Sequence, residues 1–267
     1  MGVIKAKRHI AKSEFEQTFS LFFADSRRLL SKVPKRRKDF ICPKIIWLNN
    51  SIYNDLMIVQ LNLFAKQKDK KDEKQKRIKY ALEKIENLEK AIMVYSNIMS
   101  LPFDKQCRWC DPLNKEIALL NGMIEDDNDK SDFRVKVLDW EKINKFQVLK
   151  NMCALHRYVH GKAVKAKNSL DNGETPLIIE LIDEAFYNTM TASTFFPKTK
   201  EEYQNRKNKL KRALHCLDEI QRPMLSYFNT MEYSDRVMRE WSELLNDEIK
   251  LLKGLQKSDK KRFRKLS

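Results

Sequence analysis

The chain has 267 residues and a net charge of +16, with a hydrophobic fraction of 42% but only five glycines and seven prolines. This length allows about two domains, and the scarcity of glycine and proline argues against a β-rich fold. No apolar run approaches the roughly 20 residues that cross a bilayer, and the N-terminal residues lack a signal-peptide core. The five scattered cysteines favour free thiols. We therefore expect a cytoplasmic helical protein.

Apolar residues at helical spacing predict four helices in residues 1–124, behind a basic arm of about twelve residues. Ser13 opens a capping-box pattern, and Asp111 with the following proline marks the start of a short fourth helix. The basic segment KVPKRRKDF is expected to form the turn between the first two helices. The expected helices cover approximately 13–33, 43–66, 76–100 and 112–122.

The acidic segment EDDNDKSD (125–132) has no apolar residue and is predicted to be a linker. Four more helices are expected in residues 133–267, because the same spacing of apolar residues resumes there. Thr199 and Glu202 form a capping box for the seventh helix. The helices are expected to begin near 133, 176, 200 and 234, and the tail SDKKRFRKLS (258–267) is predicted to be a second basic arm.

An internal repeat relates the two halves without a gap. Residues 76–124 align with 208–256 at an offset of 132, which places Trp109 on Trp241 and LNKEIALLNGM (113–123) on LNDEIKLLKGL (245–255). Self-similarity over this length indicates a duplicated domain. Four amphipathic helices bury their apolar stripes most simply as a bundle. We therefore predict an all-α fold of two tandem up-and-down four-helix bundles.

No pattern of residues typical of an active site occurs in the sequence, so we expect no enzyme activity, no cofactor and no metal. Cys107 and Cys110 form a single C-x-x-C, and the repeat places Arg239 and Ser242 at their positions. His156 and His160 lie one helical turn apart and could hold a metal or face solvent; because no carboxylate is near them in sequence, we expect them to face solvent. Trp109 and Trp241 are predicted to be core residues rather than surfaces for base stacking.

Basic clusters are the remaining functional signal, and both halves carry a positive excess. Lysine and arginine stripes on helices bind phosphates without reading base sequence, although a solvated helix face has the same pattern. We predict RNA contacts in these clusters. The candidate residues are Lys35, Arg36, Arg37, Lys38, Lys70, Lys74, Arg77, Lys162, Lys165, Lys167, Arg206, Lys207, Lys209, Lys211, Arg212, Lys260, Lys261, Arg262, Arg264 and Lys265.

Three motifs carry a family resemblance: the basic turn KVPKRR (32–37), the helix start KRIKYAL (76–82) and the closing helix LNKEIALLNG (113–122). NKLKRAL (208–214) and LNDEIKLLKG (245–254) repeat the last two. The chain resembles the four-helix-bundle family of the accessory variability determinant of diversity-generating retroelements and of the proteins encoded in 23S ribosomal RNA intervening sequences. Members of that family usually have a single bundle, whereas this chain has two copies.

The resemblance implies a non-enzymatic basic protein that forms an oligomer and binds a reverse transcriptase and its structured template RNA. It places the RNA or polymerase contacts at residues 35–38 and 207–212. The alternative is a helical scaffold or adaptor for a protein partner, in which the basic charge has no binding role. A reverse-transcriptase gene beside the gene for this chain would favour the first interpretation, and its absence would favour the second.

Overall fold

The computed structural model describes residues 2–62, 67–166, 174–193, 196–230 and 233–266, with side chains described from residue 14 onward except at 15, 16, 40, 127, 164–166, 229 and 230. Over these ranges the chain is helices and short connections without a strand, which confirms the all-α prediction. No helix in the described part of the chain combines the length and hydrophobicity of a membrane span. The chain divides into two compact units, residues 1–137 and 138–267.

Unit 1 is a four-helix bundle in which each helix packs against the next, and the fourth closes the ring against the first. Short connections between neighbouring antiparallel helices produce this up-and-down arrangement. Every helix contributes several almost fully buried side chains to its core, among them Phe22, Ile45, Ile85 and Trp109. The helices are α1 (Gly2–Leu30), α2 (Lys35–Leu61), α3 (Lys68–Ile98) and α4 (Phe103–Gly122).

Unit 2 repeats this ring of contacts, with α6, α7, α8 and α10 as its four sides. The short α5 precedes α6, and α9 continues α8 and packs against α7. The prediction of two four-helix bundles is therefore confirmed. The helices are α5 (Trp140–Lys145), α6 (Gln147–Ala166), α7 (Glu174–Ser193), α8 (Lys200–Glu219), α9 (Gln221–Thr230) and α10 (Asp235–Arg262).

Helix starts in the two units keep the register of the sequence repeat. The first residues of α3 and α8 are Lys68 and Lys200, and those of α4 and α10 are Phe103 and Asp235. Both differences equal the repeat offset of 132. The buried side chains follow the same offset, so the two cores are built from equivalent positions. These pairs are Ile78 and Leu210, Ile85 and Leu217, Leu88 and Ile220, Trp109 and Trp241, Leu113 and Leu245, and Leu120 and Leu252.

Several predicted helix bounds in unit 1 are wrong. The expected N-terminal arm belongs to α1. The basic segment 32–40 forms the predicted turn only in part, because α2 begins directly after Pro34 and residues 31–34 alone connect the two helices. Pro43 and Pro112 lie inside helices rather than at their starts. Each proline removes one helical hydrogen bond. The burial of Ile41 and Ile45 in α2 and of Trp109 in α4 offsets that loss.

The segment after α4 differs from the prediction as well. The acidic residues 125–132 belong to unit 1, which extends to residue 137, and this segment runs along the bundle. The Asn121 side chain donates to the carbonyl of Ser131, and the Glu89 carboxylate accepts from the backbone N–H of Lys136. The helix expected from Phe133 begins at Trp140, because residues up to 139 use these side-chain partners instead of helical ones.

In unit 2 the capping box of Thr199 and Glu202 is present as predicted. The helix expected to run through to about residue 231 breaks after Glu219, where Pro223 lacks the N–H that would bond to the Glu219 carbonyl. The predicted C-terminal arm is wrong, because α10 continues to Arg262 and the following Phe263 is buried. The C-terminal basic residues are therefore held on the folded surface of unit 2.

The two repeated tryptophans lie in the cores, which confirms that they are not exposed for base stacking. The Nε1–H of Trp109 donates to Ser26 Oγ over 2.8 Å, whereas Nε1 of Trp241 has no hydrogen-bond partner among the described residues. We therefore expect Trp109→Phe to lower the free energy of unfolding of unit 1 by about 1 kcal/mol more than Trp241→Phe lowers that of unit 2. Urea titrations of both variants would test this, and equal losses would contradict it.

Candidate functional site

The N-terminal part of α8 and the C-terminal part of α10 lie side by side in unit 2. Arg206 on α8 bonds to Asp259 on α10, and the ring centroids of Tyr203 and Phe263 are 5.5 Å apart. Two basic clusters that are separate in sequence therefore meet on one surface. We call residues 196–207 and 257–266 the basic end of unit 2.

An aromatic ring stands exposed in the middle of this basic end. Phe196 is 62% exposed, and its ring centroid lies 4.7 Å from that of the buried Phe263 in an edge-on contact. The Arg262 guanidinium lies 5.9 Å from the Phe196 centroid. Sequence reasoning missed Phe196, Tyr203 and Phe263, although the aromatic residue inside the run KKRFRK is a signal that could have identified Phe263.

The basic end accounts for the whole net charge of unit 2. It holds ten basic and three acidic residues, a net charge of +7. The rest of unit 2 has fifteen basic and fifteen acidic residues and is neutral. Such a separation of charge within one domain produces a strong local field that attracts anions.

Two of the three carboxylates in the basic end are engaged in structural bonds. Asp259 accepts from Arg206, and Glu202 accepts from the backbone N–H groups of Lys198 and Thr199 at the start of α8. These backbone bonds hold the pKa of Glu202 below its usual value. The exposed lysines Lys207, Lys260, Lys261 and Lys265 surround this internally satisfied arrangement.

Arg206 itself is unavailable to a ligand, which corrects its prediction as an RNA contact. Its side chain is buried, and Nε and Nη2 donate to the two carboxylate oxygens of Asp259 over 2.6 and 3.2 Å. Nη1 donates to the carbonyl of Ala192. The residue therefore joins α7, α8 and α10, and an anion at the surface cannot reach it.

Farther along α8, the predicted residues are partly engaged. Arg212 Nε donates to Glu184 over 3.2 Å, and the Lys209 ammonium lies 5.2 Å from the centre of the Tyr187 ring. Lys211 is exposed. Lys162 on α6 lies over the ring of Tyr158. Lys167 and the Lys165 side chain lie outside the described residues.

The predicted stripe on α3 of unit 1 is largely paired with carboxylates. Arg77 bonds to the buried Asp55 over 3.1 Å, and Lys74 lies 3.4 Å from Glu125, while Lys70 is exposed. This part of unit 1 therefore presents less free positive charge than the sequence suggested.

The start of α2 presents its basic residues more openly. Lys35, Arg36 and Lys38 are exposed, and Arg37 donates to the Ile98 carbonyl at the end of α3. The first turn of α2 has no acidic residue and no side-chain cap. Positive charge at a helix N-terminus is unfavourable with respect to the helix dipole, and a bound anion would relieve this repulsion.

Beside this helix start, an apolar groove runs between α1 and α2. Its lining includes Phe23, Ile46 and Tyr53, with Arg27 and Lys38 as cationic residues. Ile46 and Tyr53 are about half exposed, and the adjacent Trp47 is 63% exposed. A contiguous apolar surface of this kind is typical of a protein-binding site.

A second cluster of chemical interest lies in the core of unit 2. His156 and His160 on α6 are buried, so the expectation that they face solvent is wrong. Asp183 on α7 supplies the carboxylate that was not visible near them in sequence, with its Oδ1 atom 2.9 Å from His156 Nε2 and 2.7 Å from His160 Nε2. Burial lowers the pKa of His156 to about 4, so this imidazole is neutral near pH 7.

Both units also bury a glutamate at the same repeat position. Burial raises the pKa of Glu116 and of Glu248 to about 8. Thr18 donates to Oε2 of Glu116, and Asn151 donates to Oε2 of Glu248 over 2.9 Å. Within the described residues, Oε1 of each has no partner. Because both glutamates are buried at the same position of the repeat, we assign them to the fold rather than to binding.

Comparisons with known proteins provide no relative from which a function could be inferred. Neither a protein-family model, nor a curated protein, nor a solved structure matches the chain.

Proposed function

We propose that the chain is a non-enzymatic RNA-binding protein and that the basic end of unit 2 is its main RNA contact. The observation that carries this proposal is the concentration of the net charge of unit 2 around the exposed Phe196 ring. Exposed ammonium and guanidinium groups neutralise phosphates, and an exposed ring stacks on an unpaired base. The expected ligand is therefore an RNA with both helical and single-stranded parts, bound without strong sequence preference.

The resemblance of the chain to the accessory variability determinant suggests the biological setting. We propose that the RNA is a retroelement template and that the chain acts as an accessory subunit of a reverse transcriptase. We assign the groove between α1 and α2 to such a protein partner, since Ile46 and Tyr53 in its lining expose apolar area.

A second candidate function is that of a helical scaffold that binds a protein partner or a further copy of itself. The same groove favours it, because the groove is apolar and needs no RNA to be occupied. In this case the basic end would contribute to solubility alone. The two candidates differ in what happens when the positive charge of the basic end is removed.

Fluorescence anisotropy with a labelled RNA hairpin that has a single-stranded flank distinguishes them. We expect Lys260→Gln, Lys261→Gln and Lys265→Gln together to weaken binding roughly tenfold or more near 0.1 M salt, and to flatten the dependence on salt concentration. Phe196→Ala is expected to weaken binding by a similar factor, roughly tenfold, without changing the salt dependence, because stacking releases no counterions.

Matched controls separate the basic end from general charge and general exposure. Lys145→Gln, Lys150→Gln and Lys253→Gln remove the same charge from exposed sites elsewhere in unit 2, and Phe103→Ala removes an exposed ring from unit 1. These variants should retain most of the affinity. If the triple variant of the basic end binds as tightly as its control, or if the parent binding is insensitive to salt, the scaffold function replaces the RNA function.

A further inference from the structure

Three metal-ligating side chains converge inside unit 2, on the side of the bundle formed by α6 and α7. His156 and His160 lie one turn apart on α6 and point toward Asp183 on α7. One ligand atom from each residue lies within 4.8 Å of the other two. The Asp183 side chain retains 15% exposure, whereas His156 is fully buried, so the cluster lies just below the surface.

The four-helix arrangement does not require this cluster. Unit 1 forms the same ring of helix contacts, and no other group of this kind occurs among the described residues. Two imidazoles and a carboxylate cost free energy when they leave water, and an apolar core position would avoid that cost. The ring centroid of His156 lies 4.3 Å from that of Phe186 and 4.6 Å from that of His160, so packing holds the rings in their orientations.

The geometry of the three atoms is close to that of a metal site. Ligand atoms bonded at about 2.0–2.1 Å to a tetrahedral zinc ion lie roughly 3.3 Å from each other. The two nitrogen-to-oxygen distances of 2.9 and 2.7 Å are about 0.4 and 0.6 Å shorter than this spacing, and the two nitrogens lie within 4.8 Å of each other. Both histidines direct Nε2 toward the same oxygen of Asp183, so an ion bound there would take the place of these two hydrogen bonds.

We propose that His156, His160 and Asp183 bind one divalent transition-metal ion of the Zn²⁺ type through two Nε2 atoms and a carboxylate oxygen. Imidazole and carboxylate ligands suit zinc and its neighbours in the first transition series. A water molecule completes the coordination from the exposed side of Asp183. The ion links α6 to α7 and neutralises the carboxylate. This inference is independent of RNA binding.

Zn²⁺ titration of the purified full chain, followed by thermal unfolding and by competition with a chelator, tests the proposal. We expect one equivalent of Zn²⁺ to bind, and Zn²⁺ at about one hundred times its dissociation constant to raise the Tm of unit 2 by roughly 5–15 °C. Asp183→Asn and His160→Gln should weaken binding about a hundredfold or more. His215→Ala, which removes an exposed histidine, should bind as the parent does.

Co²⁺ substitution of the parent chain keeps the proposal testable if either variant fails to fold. Nitrogen and oxygen ligands give weak visible bands, whereas cysteine ligands such as Cys107 and Cys110 add an intense thiolate-to-cobalt band in the near ultraviolet. We expect the weak visible bands without the intense thiolate band in the near ultraviolet. A parent chain that takes up no Zn²⁺, that shows thiolate ligation, or that binds Zn²⁺ as tightly after Asp183→Asn as before would overturn the proposal and leave a hydrogen-bonded core triad.

Discussion

We expect the double substitution Glu116→Gln and Glu248→Gln to remove the loss of folding stability that these two buried glutamates cause as the pH rises from about 4.5 to 8. Burial raises the pKa of both glutamates to about 8 in the folded chain, against an ordinary value of 4.5. At these two carboxyl groups the folded state therefore binds more protons than the unfolded state throughout this interval, whereas His156, whose pKa is lowered to about 4, acts in the opposite direction up to about pH 6.5. Stability that is present below pH 4.5 is lost progressively toward pH 8.

The magnitude follows from the size of the shift. Each glutamate contributes a loss of roughly 3–5 kcal/mol across the interval, because one pKa unit corresponds to about 1.4 kcal/mol. Glutamine carries no charge that must be buried at high pH, so the variant should be close to the parent at pH 5 and more stable at pH 8. Urea unfolding at a series of pH values measures both curves.

Glu243→Gln is the matched control, since this glutamate is exposed on α10 five residues before Glu248. Its curve should follow that of the parent chain. Parallel curves for the parent and the double variant, from pH 5 to pH 8, would show that the buried carboxyls do not retain their protons in the folded chain.

Arg206→Met is the second substitution with a large expected effect. It leaves the carboxylate of Asp259 buried without its ion pair and removes the hydrogen bond to the Ala192 carbonyl. Removal of one partner from a buried ion pair costs roughly 3–5 kcal/mol. We therefore expect this loss in the free energy of unfolding of unit 2, and a fall in RNA binding only where the unit unfolds.

Two further variants make the assignment specific. Lys207→Gln changes an exposed neighbour and should alter stability by no more than about 0.5 kcal/mol. Arg206→Met combined with Asp259→Leu removes both buried charges, and most of the lost stability should return because apolar side chains replace the pair. An Arg206→Met chain as stable as the parent, but with weaker RNA binding, would return Arg206 to the RNA contacts.

Patterns that repeat within a helix were visible in the sequence, and the structure agrees with them. The spacing of Ile78, Ile85 and Leu88, together with its copy 132 residues later, predicted the core of each bundle. The capping box at Thr199 likewise involves residues only three positions apart. Periodicity and capping are local properties, so a single sequence is sufficient to identify them.

Features that depend on contacts between helices were not visible. His160 and Asp183 are on different helices, and the spacing of residues along α6 does not indicate that α7 brings a carboxylate to this histidine. Arg206 lies in a run of basic residues that reads as a surface, yet Asp259 reaches it from a tail that looked too polar to fold. The burial of Phe263 holds that tail in place, and one apolar residue among charges is a weak signal.

The duplication has a consequence for how the two surfaces can change during evolution. When one domain assembles with identical copies of itself, a substitution alters every subunit of the assembly together. Here the groove belongs to unit 1 and the basic end to unit 2. The cores are nevertheless equivalent, because buried positions in α3 and α4 of unit 1 correspond to buried positions in α8, α9 and α10 of unit 2. One chain thus carries both surfaces in a fixed ratio of one to one, and a substitution in one unit leaves the sequence of the other unit unchanged.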